Sequence, residues 1–266
     1  MTLTRRSLLA SAAFAPLLRA APANALKLGV ASYSMRELSR EKMIEGVQAL
    51  KTPYVNIKEF HLRYVSTPQQ IAEARQQFAA AGLTVLGGGN IDLKGDEAAV
   101  RKMFDYAKAA GFPLMVCAPS HATLPLVERL VKESNIKAAL HNHGPEDKEF
   151  PSPQSVLEAV KNLDPRIGLC MDVGHSTRAG ADIVESVKQA GPRLLDIHIK
   201  DLKVATEASS QCVVGEGILP IKQFFAELIK MKYTGGVMLE YEIEAKDPLP
   251  GMLKSFANMR KILTEI

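Results

Sequence analysis

The chain has 266 residues, of which 47% are hydrophobic and 23% are charged, and its formal net charge is +4. This composition is typical of globular proteins, and the length is sufficient for a single large α/β domain. Three of the 33 basic residues and none of the 29 acidic residues precede position 24, so the rest of the chain carries a net charge of +1. That balance provides no basic stripe and therefore argues against a nucleic-acid-binding protein.

The first 23 residues have the pattern of an export signal. Charged Arg5 and Arg6 are followed by an apolar segment, Leu8–Leu18, and by a small-residue cleavage site at Ala21–Ala23. The arginine pair in Thr4–Leu9 resembles a twin-arginine signal, and a Sec signal that contains two arginines is the alternative. Since the apolar segment is too short for a stable membrane anchor, we expect an exported, periplasmic protein.

From position 24 onward, predicted strands and helices alternate to the end of the chain. The predicted strands are Leu26–Ser34, Tyr54–His61, Thr84–Gly88, Leu114–Ala118, Ile136–His141, Ile167–Met171, Leu194–Lys200 and Gly236–Glu242. The predicted helices are Ser39–Leu50, one from Pro68 that closes at Gly82, Asp96–Ala110, Leu124–Glu133, one from Pro153, Asp182–Ala190, Pro220–Lys230 and Pro250–Thr264. A closed (β/α)₈ barrel requires this number, whereas an open doubly wound sheet does not. We therefore predict that residues 24–266 form one TIM barrel domain.

The six histidines all fall at or just after the carboxyl end of a predicted strand, and none lies in a predicted helix. They are His61, His121, His141, His143, His175 and His198. In a TIM barrel, the loops at the carboxyl ends of the strands carry the catalytic residues. The distribution therefore predicts an active site at this end of the barrel.

Strand periodicity predicts which polar side chains share a face of each strand. The groups with a common face are Glu59 with His61, His141 with His143, Asp196 with His198 and Lys200, and Met238 with Glu240 and Glu242. If these faces point inward, one cluster at the barrel mouth collects Glu59, His141, Asp172, His198 and Glu240. Burial of so many ionisable groups without a cation would be very costly. Mixed imidazole and carboxylate ligands suit one divalent ion, Mn²⁺, Co²⁺, Mg²⁺ or Zn²⁺.

Several short motifs give the sequence a family resemblance that covers nearly the whole chain after the signal. They are Lys58-Glu59-Phe60-His61, His141-Asn142-His143-Gly144, Asp172-Val173-Gly174-His175, His198-Ile199-Lys200-Asp201, Gly215-Glu216-Gly217 and Leu239-Glu240-Tyr241. In these motifs the chain resembles the xylose-isomerase-like barrels, which include sugar-phosphate isomerases, epimerases and inosose dehydratases. The resemblance implies a metal held by Asp172, His198 and Glu240, with His141 in the fourth place.

His141 departs from the isomerase and epimerase pattern, which usually has a glutamate at this place. Because that glutamate commonly doubles as the proton-transfer base, the substitution puts simple isomerisation in doubt. The His-x-His motif that contains His141 and His143 resembles the dehydratase-like members more closely.

The chemistry implied by the resemblance begins with removal of a proton next to a sugar carbonyl, while a divalent ion stabilises the enediolate. The candidate catalytic residues are Glu240, Glu59, His143, His175 and Lys200. Lys200 would either stabilise negative charge or pair with Asp196 or Glu242. The expected substrate contacts are His61, Asn142 and Glu242, and the expected partner is a small-molecule sugar or glycoside.

Three functions remain open from the sequence. The first is a metal-dependent isomerase or epimerase, and the second is a dehydratase or lyase that eliminates water or an aglycone from a keto-sugar or 3-keto-glycoside. The third is an exported sugar- or metal-binding protein without turnover. A DNA-repair barrel of related fold is disfavoured by the charge balance and the export signal. A homo-oligomer is compatible with every one of these functions.

Three further features complete the predictions. Gly87–Asn90 is a glycine-rich loop that would let substrate approach the backbone, and Val204–Gly217 is either a lid or a plain surface loop. Cys117, Cys170 and Cys212 lack metal-type spacing, and we expect buried thiols rather than a disulfide framework.

Overall fold

The computed structural model describes residues 26–266, and the predicted export signal at residues 1–23 lies outside the described residues. Eight parallel strands close into a barrel in which each strand pairs with its neighbours in chain order and β8 pairs with β1. The strands are β1 (Lys27–Ala31), β2 (Tyr54–Ile57), β3 (Thr84–Leu93), β4 (Leu114–Pro119), β5 (Lys137–His141), β6 (Ile167–Asp172), β7 (Leu194–Ile199) and β8 (Gly236–Leu239). The predicted TIM barrel is confirmed.

The helices cover the outside of the barrel, and most begin and end at the residues that the sequence indicates. They are α1 (Arg40–Ala49), α2 (Pro68–Ala80), α3 (Glu97–Ala110), α4 (Leu124–Ser134), α5 (Pro153–Val160), α6 (Val173–Arg178), α7 (Ile183–Ala190), α8 (Ile221–Lys230) and α9 (Leu249–Leu263). Thr67 and Gln70 form a reciprocal capping box at the start of α2, which satisfies two backbone N–H groups that the first turn leaves free. Gly111 ends α3 with φ at 73°, a backbone angle that favours glycine.

Two segments differ from the prediction. Helix α6 follows β6 directly and contains His175, and His121 begins a short 3₁₀ helix, so two of the six histidines do lie in helical segments. The segment Gly87–Asn90 belongs to β3 and is not a loop; the pairing of β3 with β4 shifts register between Gly88 and Ile91. This irregular strand carries Asn90 to the barrel mouth, as described below.

The loop after β7 is held at its base by one buried carboxylate. Asp201 accepts hydrogen bonds from the backbone N–H groups of Leu202, Gly215, Gly217 and Leu219. A side chain at Gly217 would place its Cβ 2.2 Å from Asp201 Oδ1, so only glycine allows this close approach. Residues 201–202 and 211–212 also pair as a two-stranded antiparallel ladder, which anchors the segment that the sequence left as either a lid or a surface loop.

The hydrophobic core has two parts. The larger one lies between the strands and the surrounding helices, and a small one inside the barrel consists of Leu114, Val116, Ala139 and Cys170 with Leu195 packed against it. All three cysteines are buried free thiols, as predicted. Among residues 26–266, the structure contains no helix with the length and apolar character needed to cross a bilayer.

Candidate metal centre and substrate cavity

Four side chains meet at the carboxyl ends of β5, β6, β7 and β8. His141, Asp172, His198 and Glu240 are all buried, and each offers one potential ligand atom within 4.8 Å of the others. His141 Nε2 lies 3.1 Å from His198 Nδ1 and 3.6 Å from Asp172 Oδ2. His198 Nδ1 lies 3.2 Å from Glu240 Oε2. The structure therefore brings together all four side chains that the sequence predicts as metal ligands.

These separations fit a single divalent ion. Bonds of about 2.0–2.2 Å place ligand atoms on one ion about 3.0–3.5 Å apart in tetrahedral or octahedral geometry. Asp172 Oδ2 is fully buried, and among the described residues no donor makes an aligned hydrogen bond to it. The Lys200 ammonium lies 3.0 Å away without hydrogen-bond alignment, so this oxygen keeps a lone pair for an ion. The donor set, two imidazoles and two carboxylates, is one that Mn²⁺, Co²⁺ and Zn²⁺ accept.

The protonation states also suit metal binding. Burial lowers the pKa of His141 to about 4, so its imidazole is neutral near pH 7. Burial opposes ionisation of Asp172, but Lys200 and His175 hold the pKa of that carboxyl below its usual value. In the same way, His198 and Lys200 outweigh burial and lower the pKa of Glu240. For His198, burial acts to lower the pKa, but Glu240 and the neighbouring aspartates raise it overall, so an incoming cation would displace a proton.

Asp172 is oriented by the start of helix α6 and by Asn142. Its Oδ1 atom accepts a hydrogen bond from the backbone N–H of His175, which leaves Oδ2 directed at the cluster. Asn142 accepts from the backbone N–H of Asp172 and donates to the carbonyl of Asp172 and to Ser176 Oγ. Because Asn142 is completely buried in these contacts, it lies behind the cluster and not in the cavity where a substrate contact was predicted.

Lys200 is surrounded by three carboxylates. Its Nζ atom lies 3.0 Å from Asp172 Oδ2, 3.0 Å from Glu240 Oε2 and 2.8 Å from Glu242 Oε2. Burial opposes its charge, but these carboxylates raise its pKa above the usual value. Of the two partners expected for Lys200, Glu242 is confirmed and Asp196 is wrong. A side chain at Gly174 would place its Cβ 2.6 Å from Lys200 Cδ, which explains the glycine in the Asp-x-Gly-His motif.

A second polar layer lies deeper in the barrel. Asp196 Oδ2 is 4.0 Å from His198 Nε2 and accepts a hydrogen bond of 2.7 Å from Asn56 Nδ2. Burial raises the pKa of Asp196 to about 7. A ligating histidine usually has a carboxylate or carbonyl behind its outer nitrogen, and Asp196 is the carboxylate nearest to that nitrogen of His198.

A half-enclosed cavity of about 130 Å³ opens above the four predicted metal ligands. Its lining residues are Tyr33, Lys58, Asn90, His141, His143, His175, Glu240 and Glu242. The rings of His143 and His175 have centroids 4.6 Å apart. His175 Nδ1 lies 3.2 Å from the Arg178 guanidinium, which can only donate, so in the neutral ring the proton is on Nε2. Three predicted catalytic residues (His143, His175 and Glu240) and one predicted substrate contact (Glu242) thus line one cavity.

The expected positions of Glu59 and His61 are wrong. Strand β2 ends at Ile57, and the apolar side chains of Val55 and Ile57 are buried in the layer between strands and helices. The residues that alternate with Val55 and Ile57 therefore point into the barrel. Glu59 has the same parity as Val55 and Ile57, and it is exposed outside the cluster. His61 is buried behind the mouth, where its Nδ1 contacts Ser32 Oγ and its Nε2 contacts the carbonyl of Met35.

Sequence reasoning missed the side chains of Tyr33, Lys58 and Asn90 at the mouth and of Asn56 in the deeper polar layer. The apolar residues Val55 and Ile57 were the available signal for two of them, since period-two alternation puts Asn56 and Lys58 on the opposite, inward face. Tyr33 and Asn90 had no comparable signal, because a short 3₁₀ turn and the register shift in β3 determine their positions. His121, in contrast, is exposed and contacts Glu149 and Phe150 away from the cavity.

The barrel is that of a known family. Residues 44–262 match the xylose isomerase-like TIM barrel family, and the chain belongs to it. Proteins similar to this chain include enzymes named as dehydratases and epimerases.

One curated relative and two solved structures illustrate the similarity. The inosose dehydratase of Geobacillus kaustophilus (strain HTA426) is 25% identical over 148 residues, which are 50% of this chain and 46% of that protein. The chain thus spans about half the length of the curated relatives it matches. The structure of a protein from Parabacteroides distasonis ATCC 8503 is 25% identical, with a TM-score of 0.69 over 90% of this chain and 98% of the other. A D-tagatose 3-epimerase-like protein, 17% identical with a TM-score of 0.71 over 90% and 98% of the two chains, shows the shared fold.

Proposed function

We propose that the protein is a divalent-metal-dependent enzyme that removes the proton next to the carbonyl group of a small keto-sugar. The observation that carries this proposal is the buried cluster of His141, Asp172, His198 and Glu240 at the floor of a polar cavity. Two further histidines and Glu242 line the same cavity, so acid and base groups lie next to the place where an ion would hold substrate.

The bound ion would supply electrophilic stabilisation of negative charge on the substrate oxygens. His141, Asp172, His198 and Glu240 would hold it. Proton transfer is assigned to residues that line the cavity and do not hold the ion. We propose His175, whose Nε2 carries the proton in the neutral ring, as the donor, and His143 and Glu242 as the candidate bases. Glu59 is excluded from this role because a base must come within hydrogen-bond reach of the proton, and its side chain is exposed outside the cavity.

Elimination is a second outcome of the same first step. In isomerisation the proton returns to a neighbouring carbon, whereas in dehydration the substituent on the next carbon leaves with a proton supplied by an acid such as His175. His141 stands where a glutamate would serve as a second base, and the curated relatives include inosose dehydratases. Both observations favour elimination over isomerisation.

The test of the proposed function is exchange and product analysis in D₂O. Protein stripped with a chelator and reloaded with Mn²⁺, Co²⁺, Mg²⁺ or Zn²⁺ is incubated with a panel of keto-sugars and 3-keto-glycosides, and the products are followed by NMR. We expect metal-dependent loss of the α-proton signal. A product of unchanged mass identifies isomerisation, and loss of water or an aglycone identifies elimination. Full activity of protein shown to be metal-free would exclude the proposal, and tight sugar binding without exchange would favour the binding-protein alternative.

Export of the protein to the periplasm is proposed from the sequence of residues 1–23 alone. Replacement of Arg5 and Arg6 by lysine should abolish export if the signal is of the twin-arginine type and should leave it intact if a Sec signal operates. Cell fractionation with an antibody to the barrel domain distinguishes the two results.

A further inference from the structure

Two lysines reach the barrel mouth, and only one of them has a carboxylate partner. Lys200 contacts three carboxylates at 3.0 Å or less. Lys58, which follows β2, donates a hydrogen bond of 3.3 Å to the carbonyl of Asn90. Among residues 26–266, no carboxylate lies within 4.0 Å of the Lys58 ammonium. At least part of its donor capacity is therefore directed into the cavity that it lines.

The position of Lys58 is fixed from two sides. Its Nζ atom lies 5.3 Å from the centroid of the Tyr33 ring, a distance at which the ring face attracts a cation. The Asn90 carbonyl that accepts from Lys58 also accepts a hydrogen bond from the Tyr64 hydroxyl. Burial lowers the pKa of Lys58, although the surrounding glutamates oppose that shift. A partly buried ammonium with one carbonyl acceptor is incompletely solvated, so a further acceptor would stabilise it.

The balance of charges around the cavity indicates which kind of ligand Lys58 would bind. The three carboxylates at the metal end, Asp172, Glu240 and Glu242, carry three negative charges. Lys200 and a divalent ion would together carry three positive charges and neutralise them. Lys58 then remains as the excess positive charge of the loaded site. Glu59 acts on Lys58 only from a distance, because its carboxylate is exposed outside the cavity and forms no ion pair with the ammonium.

We propose that Lys58 is an anion-binding residue and that the cavity takes a sugar-derived carboxylate, a keto-sugar acid, with its carboxylate at Lys58 and its carbonyl end toward the metal cluster. This inference rests on the proposed function for the divalent ion that balances the three carboxylates. The cavity of about 130 Å³ is half open, and a four-carbon ligand is a suitable probe of it. Lys58 is placed at the wall formed by β1, β2 and β3, opposite the cluster carried by β5 to β8.

The test measures binding without turnover. Isothermal titration calorimetry of Mn²⁺-loaded protein compares D-erythronate with erythritol, two four-carbon ligands that differ in one carboxylate. A charge-assisted hydrogen bond is worth roughly a tenfold change in affinity or more. We therefore expect erythronate to bind at least about tenfold tighter than erythritol. Lys58→Met should remove most of this preference with the erythritol affinity unchanged, and Lys58→Arg should retain it.

Controls separate recognition by Lys58 from other causes. Lys102→Met removes the same charge from an exposed position of α3 and should leave both affinities unchanged. Metal content and thermal melting of each variant exclude loss of the ion or of the fold. If the preference for erythronate persists in Lys58→Met, the carboxylate binds the ion directly and the proposal is wrong. If Lys58→Met leaves both affinities unchanged and lowers only a measured exchange rate, Lys58 acts on charge that develops during reaction, and the proposal of a carboxylate substrate is also wrong.

Failure of this inference and failure of the proposed function give different results. A protein that exchanges the α-proton of neutral keto-sugars without any Lys58-dependent preference keeps the proposed function and loses this inference. A protein that shows the preference but never exchanges a proton keeps the inference about binding and loses the proposed reaction.

Discussion

The two halves of the barrel mouth differ in how their charges are satisfied. The half built by β5 to β8 contains His141, Asp172, His198 and Glu240, together with Lys200, and these groups contact one another at 3.0–3.6 Å. The half built by β1 to β3 contains Tyr33, Lys58 and Asn90, whose Lys58 ammonium has no carboxylate partner among the described residues. A mutually paired cluster is fixed in place and suited to hold an ion, whereas an unpaired donor at a cavity wall is available to a ligand.

The difference follows from the strands themselves. All six residues of β6 are buried, so the carboxylate at its end begins a helix and has no exit to solvent. Lys58 follows β2 and lines the cavity. The carboxylate at the end of β6 is thus enclosed by protein, whereas the Lys58 side chain borders the open space of the cavity.

The largest effect is expected from Glu240→Gln. This substitution keeps the shape of the side chain and removes the charge that faces both His198 and Lys200. We expect loss of stoichiometric metal and a fall in the exchange rate on the order of 1000-fold, since one ligand and the stabilisation of developing charge are lost together. Metal analysis and NMR exchange measure the two results. Glu59→Gln, an exposed control, should change neither, and a Glu240→Gln protein with a full complement of metal would contradict the assignment.

The next effect is expected from Lys200→Met. Removal of one member of a buried charge network leaves its partners uncompensated, and such changes cost about 3–5 kcal/mol. Asp172 and Glu240 would lose their shared cation. Urea unfolding of metal-free protein should show this loss, with Lys102→Met as the matched exposed control. A change below about 1 kcal/mol would show that Lys200 does not stabilise the ion-holding half.

Asp196 gives the third prediction, which concerns pH. Burial raises its pKa from 3.8 to about 7, so its neutral form stabilises the fold below about pH 4, and this contribution is lost as the pH rises through 7. Asp196→Asn cannot ionise. Its stability relative to the natural protein should therefore increase between pH 5 and pH 8, by about 2 kcal/mol. Urea unfolding of both proteins with a chelator present measures the difference, and equal pH profiles would show that the carboxyl is already ionised at pH 5.

The extent of successful prediction from the sequence also differs between the two halves. In β7 the polar and apolar residues alternate, and this alternation predicted that Asp196, His198 and Lys200 share the inward face. All three polar side chains do point inward. In β2 the same alternation was applied to Glu59 and His61, although Val55 and Ile57 require the opposite parity. The ends of short strands are poorly defined by sequence, and a one-residue shift reverses every side chain.

Other features required the folded structure. Asn142 lies between two histidines in the His-x-His motif, but its contacts with the backbone of Asp172 depend on the pairing of β5 with β6. The charge environment of Lys58 depends on three strands and on the exposure of Glu59. Spacing along the chain therefore predicted which strands carry the site. It did not predict which neighbouring side chains face the cavity.

The smallest effect is expected from His61→Ala, which tests whether this histidine belongs to the substrate half or to the scaffold behind it. Its ring contacts Ser32 Oγ at 3.0 Å and the Met35 carbonyl at 3.2 Å. Burial lowers its pKa to about 4, so the neutral ring can accept at Nδ1 and donate at Nε2. Loss of two hydrogen bonds at about 0.5–1.5 kcal/mol each should reduce the free energy of unfolding by about 1–3 kcal/mol.

If His61 belongs to the scaffold, the His61→Ala variant should also retain its binding properties. Metal content and the affinity for erythritol should remain those of the natural protein, because the ring does not line the cavity. If the variant instead binds the sugar alcohol at least about tenfold more weakly with unchanged stability, His61 contacts substrate as the sequence predicted. The ring would then have to turn away from both Ser32 and Met35, and His61 would belong to the substrate half of the barrel mouth.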